Sequence, residues 1–115
     1  MQTEAADLAR AAGTSLAASL DAPDLPRQVE RRIVLGDDAE PPEQMPALEA
    51  VVALAAFILA CAQFAYTIYQ DQRDRGATPD KQAIKERVEL EVRSPAQITV
   101  DTREQVIRVV VDRLP

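Results

Sequence analysis

A chain of 115 residues is long enough for one small domain or two very small modules, and too short for a multidomain enzyme. It contains no His and a single cysteine, Cys61, which excludes imidazole-based acid–base chemistry, His metal sites, an intrachain disulfide and a Cys-based zinc site. With 13 Lys plus Arg against 19 Asp plus Glu, the net charge of −6 opposes a surface built for nucleic acid.

The first predicted element is a helix capped by Thr3 and reaching about Leu20, with Leu8, Ala12, Leu16 and Leu20 at four-residue spacing. Its apolar stripe is thin and mostly alanine, and Gly13 weakens it, so it reads as a surface or partner-docking helix. The turn-rich DAPDLP at residues 21–26 breaks the chain. Residues 29–35 then alternate, with Val29, Arg31, Ile33 and Leu35 facing one way, and predict a short strand ended by Gly36. An acidic linker with three prolines, DDAEPPEQMP, follows at residues 37–46.

Pro46 suits the first turn of a long helix, and Glu49 complements the positive end of its dipole. Residues 50–70, AVVALAAFILACAQFAYTIYQ, hold no Asp, Glu, Lys or Arg. A helix of that length rises about 31 Å, the thickness of a bilayer's hydrocarbon core, so the predicted element is a transmembrane helix over residues 47–70. Its apolar members favour insertion by about 2 to 5 kcal/mol together, and Gln63, Thr67 and Gln70 oppose it. Tyr66 and Tyr69 with Arg73 and Arg75 fit a membrane–water interface at its C-terminal end. The positive-inside rule then places the C-terminal side in the cytoplasm. Residues 1–49 carry four basic and ten acidic side chains and residues 71–115 carry nine of each, so the whole net charge lies before the apolar stretch.

Alternating spacings of four and three along this helix pick out Ala53, Ala56, Ala60, Gln63 and Thr67, while Leu54, Phe57, Ile58, Leu59, Phe64 and Ile68 fall elsewhere. Small and polar side chains at that spacing form a helix-packing seam, because helices in lipid associate through close approach and hydrogen bonds. The same seam could line a narrow pore, with Gln63 and Thr67 meeting water. Cys61, one position off the seam, reads as a small buried residue.

After a break at Gly76, Thr78 with Pro79 and Asp80 predicts a short helix through about Glu86. Val88, Leu90 and Val92 then alternate with Glu89, Glu91 and Arg93. Ile98 and Val100 alternate around Thr99, and residues 106–111 form the most β-prone run. Together they predict a three-stranded β-meander. The fold class expected is therefore α+β, with an acidic N-terminal tail (1–46), a transmembrane helix (47–70) and a small C-terminal α+β module (71–115).

No Gly-rich phosphate loop is present, Ser15, Ser19 and Ser94 lack a His partner, and the pairs Asp37/Asp38 and Glu89/Glu91 read as solvated surface. No enzymatic activity, cofactor or metal is expected. In layout the chain is similar to the small effector-associated constant components of bacterial conflict operons. The parts that carry the likeness are LPRQVERRIVLG, the entry PPEQMPALEAVVAL into an apolar helix, and the terminal VELEV with QVIRVVV. That resemblance implies an accessory coupling a sensor or protease-like effector to the membrane, with no catalytic residues. The expected function is a non-enzymatic single-pass protein of the bacterial inner membrane. Its helix packs on itself or on a larger membrane subunit, and residues 87–111 meet a cytoplasmic partner. The alternatives are a small oligomeric pore-forming effector and a soluble α+β adaptor whose central helix is buried.

Overall fold

The computed structural model describes residues 3–35 and 46–115, with side chains for 4–35 and 50–115. Five helices follow one another: α1 (Thr3–Ser19), α2 (Leu25–Leu35), α3 (Pro46–Asp74), α4 (Lys81–Glu91) and α5 (Val100–Asp112). No strand occurs among the described residues, so the α+β expectation fails at both places where it put β-structure. The cap at Thr3, the linker at residues 36–45 and the Glu49 side chain lie outside what is described.

The strand expected around Ile98 and Val100 fails because Ile98 lies in the connection between α4 and α5 and Val100, 75% exposed, opens α5 behind its Thr99 cap, and the other three failed strands share one cause. The apolar residues that alternate locally also stand four residues from an apolar residue upstream, and burial selects the longer period. In α2, Leu25 and Val29 are fully buried and Ile33 packs against the core, while Arg31, placed by the strand reading on the apolar face, is only half-buried. In α4 the buried pair is Ile84 and Val88, and Leu90, read as the strand companion of Val88 and Val92, is 84% exposed. The predicted start of that helix moves two residues on, because Asp80 in place of Thr78 caps it by accepting the Gln82 N–H at 3.0 Å.

The valine-rich C-terminus is α5. Thr99 caps it through the Thr102 N–H at 3.2 Å, Asp101 sits in its first turn, and Val106, Ile107, Val110 and Val111 are buried at helical spacing. β-branched residues cost only tenths of a kcal/mol each in a helix, less than burying four of them yields.

The helix ends are set by local chemistry. Gly76, at φ 78°, follows α3 in the left-handed conformation, and the bonds Gly76 N–H to Arg73 O and Ala77 N–H to Gln72 O, both 3.0 Å, close the last turn. Asp21, at φ 52°, holds the equivalent position after α1, where the Ala22 N–H reaches Ala17 O at 2.9 Å. Here a residue with a side chain occupies a place that favours glycine.

α3 touches all four other helices. α1 also packs on α2 and α5, α5 on α1 and α4, while α2 and α4 do not meet. The result is two layers, α2–α3–α4 in front and α1–α5 behind. Gly13 lets α1 approach α2, since a Cβ there would stand 3.0 Å from Val29 Cγ2. Arg10 spans the same pair, donating from Nε and Nη2 to Glu30 at 2.6 and 3.0 Å. Arg103 on α5 donates from Nη2 to the carbonyls of Glu89 and Val92, the latter at 3.2 Å, and so satisfies the end of α4.

Candidate functional site

α3 is 29 residues long, and it buries its bulky side. Phe57, Ile58, Cys61, Ala62 and Ala65 are at most 2% exposed, and Leu54, Leu59, Ile68, Tyr66 and Tyr69 are at most 8%. Ala53, Ala56 and Ala60 are half-exposed, and Gln63 and Thr67 are exposed. The five seam residues thus lie together on a face of α3 that, among the described residues, the other helices bury least, with α4 along one side of it.

The α4 flank of this face is a shallow groove formed by Ala60, Gln63, Phe64 and Thr67 with Glu91, Val92 and Arg93. Arg87 sits 6.0 Å above the Phe64 ring and pairs with Glu91 at 3.0 Å, which fixes this edge. Thr67 donates its hydroxyl to Gln63 O at 2.8 Å, within its own helix, so its oxygen keeps only acceptor capacity toward the outside. The Gln63 amide is exposed and can donate and accept. Leu90, one turn after Arg87 and next to Glu91 on α4, is an exposed apolar side chain. Chemically, the face offers backbone-close packing at the alanines and an amide beyond them.

The residues read as a membrane interface are divided. Tyr66 and Tyr69 are buried, 6.0 Å apart, and Tyr66 lies beside Glu4, Asp7, Leu8 and Arg113. Arg73 covers the Tyr69 ring at 5.7 Å, and exposed Arg75 pairs with Asp71 at 3.4 Å. Cys61 is fully buried, and desolvation pushes its thiol up to about 12 even though Arg103 pulls the other way. Among the described residues no group of three or more His, Cys, Asp or Glu is placed to hold a metal ion.

Ala50–Asp74 is long and apolar enough to cross a membrane, and 56% of its most apolar window is buried within the fold. The core helix of a water-exposed bundle meets the same length and composition test.

Sequence reasoning missed a second concavity, a cleft of about 470 Å³ between the α1–α2 turn, the start of α3 and the α4–α5 connection. Three segments far apart in sequence build it, so no local pattern announces it. The odd left-handed Asp21 within DAPDLP is its one local mark. No protein-family model, curated protein or solved structure matches this chain.

Proposed function

We propose that this protein is a non-enzymatic helical adaptor in which α3 is the core of a water-exposed bundle and the α2–α3–α4 face receives a helix of a partner protein. The observation that carries the reading is the coincidence of the small, polar seam with the least covered side of the central helix among the described residues. A partner helix approaching Ala53, Ala56 and Ala60 comes within close backbone range, and Gln63 supplies a hydrogen-bonding group at the end of that contact. Three facts support a bundle over a bilayer span. α1 packs on α5, so the segments before and after α3 share one core. The helices around α3 carry ion pairs such as Arg10–Glu30 and Lys85–Glu89. Both tyrosines lie in the interior.

Two measurements test this reading. A photocrosslinking amino acid placed at Gln63 in cells is expected to give a discrete adduct, and one at exposed Thr14 on α1 none; equal labelling at both sites, or none at either, overturns the docking face. Alkaline carbonate is expected to release the full chain from membranes, and retention in the pellet overturns the core-helix assignment.

The second reading, a helix that spans the inner membrane with its C-terminal side in the cytoplasm, draws on the length and apolarity of Ala50–Asp74. It requires α1, α2, α4 and α5 to leave α3 and expose Leu16, Leu25, Ile84 and Ile107, all of which the bundle buries completely.

A further inference from the structure

The cleft at the end of the bundle has a volume of about 470 Å³, inside the range of small-molecule pockets. Its floor is aliphatic: Leu54 is buried, and Leu20, Val51 and Ile98 are half-buried beside it. Asp21 and Asp24 stand on one wall, and Gln97, Thr99 and Thr102 on the other. No basic side chain lines it among the described residues.

The two carboxylates are not equivalent. Asp24 lies just before α2, where the helix start offsets its charge, and Arg27 is 3.8 Å away. Asp21 lies just past the carbonyl end of α1, whose dipole adds to its negative potential, and it makes no ion pair among the described residues. The starts of α2 and α5 contribute partial positive charge at this end, but Thr99 already engages the Thr102 N–H there. Two full carboxylates with no cation in the lining oppose an anion. A hard metal ion needs six or more oxygen ligands, which a wall that is largely aliphatic does not supply. An alkylammonium needs only one carboxylate, one or two further acceptors and an apolar bed for its chain.

We propose that this cleft binds a lipophilic organic amine, with its alkyl body on Val51, Leu54 and Ile98 and its ammonium against Asp21, assisted by the Thr99 and Thr102 oxygens. The site lies away from the open face of α3, so it stands or falls independently of the adaptor reading.

The test is an NMR titration of the isotopically labelled full chain at low salt with hexylammonium, and in parallel with hexanol and hexanoate. Hexylammonium is expected to saturate, moving the signals of Val51, Leu54, Ile98 and Thr99, with hexanol about fivefold weaker and hexanoate weaker still. Asp21→Gly relieves a left-handed position and keeps the protein folded. It is expected to weaken hexylammonium about fivefold while leaving hexanol unchanged. The proposal is overturned if hexanol binds as well as the amine, if Asp21→Gly binds hexylammonium like the natural chain, or if shifts do not saturate by ~20 mM.

Discussion

The packing of α1 on α2 turns on Gly13, and replacing it with alanine tests the bundle by the sign of the effect. An alanine in place of glycine in a helix interior gains about 0.8–1 kcal/mol where nothing else changes. Here the new Cβ would stand 3.0 Å from Val29 Cγ2, and Val29 is fully buried with one strongly preferred side-chain rotamer. Overpacking against such a neighbour costs about 1–3 kcal/mol, so Gly13→Ala is expected to destabilise by about 1 kcal/mol net. Val29→Ala removes the obstructing methyls, and in that background the same Gly13→Ala change is expected to stabilise by up to about 1 kcal/mol. Urea unfolding followed by circular dichroism of the four proteins in the cycle measures both signs. If Gly13→Ala stabilises the natural chain as much as it stabilises Val29→Ala, α1 does not pack on α2, and the surface-helix reading of α1 returns.

Arg103→Ala leaves the last carbonyls of α4 without their donor and is expected to cost about 2 kcal/mol in urea unfolding, with Arg103→Lys intermediate; a loss under about 0.5 kcal/mol would show that the connection holds without it. With its thiol near 12, Cys61 is expected to react with iodoacetamide at pH 8 several hundredfold more slowly in the native protein than in urea, and comparable rates would refute its burial. Arg10 holds the Glu30 carboxyl below the ordinary glutamate range, chiefly through their hydrogen bond. A depressed carboxyl contributes stability above its unfolded value and loses it as pH falls through the folded one. The stability difference between the natural chain and Glu30→Gln is therefore expected to shrink as acid is added, and a difference constant across that window would refute the pairing.

The parts of the fold legible in the sequence are those decided by a single residue or by a long, uniform pattern. Pro46 and Gly76 bracket α3, whose charge-free stretch is too long for anything but a helix. Which side of α3 would be buried was legible because its small and polar members leave the bulky residues to the other side of the same helix, and burial takes the bulky side first. The strands were misread because Val88, Leu90 and Val92 satisfy a two-residue period as well as Ile84 and Val88 satisfy a four-residue one. Only the packing of α4 against α3 and α5 decides between them, with Ile84 buried and Leu90 left in water. The cleft was illegible for a stronger reason, since residues 20–24, 50–54 and 97–102 meet only after the whole bundle has assembled.

The charge distribution changes meaning once the helices are in place. Read along the sequence, a −6 flank before an apolar stretch and a neutral flank after it look like two sides of a membrane. In the fold, α1 and α5 are in contact, so the flanks adjoin one another along the same side of α3. Half of the ten acidic residues of the first flank lie within residues 36–49, between α2 and the body of α3. Arg73, one of the arginines that suggested topology, has structural work in covering a buried tyrosine, as do Arg87 over Phe64 and Arg103 at the end of α4. A guanidinium that caps a helix or lies over a ring is held by the fold, and its position reports packing before it reports a membrane. The apolar length of α3 is accounted for in the same way, because a central helix touched by four neighbours needs apolar residues around most of its circumference. What such a helix does not need is a continuous row of small and polar residues along one line, and that row, ending in exposed Gln63 and Thr67, lies on the side of α3 that the described helices bury least.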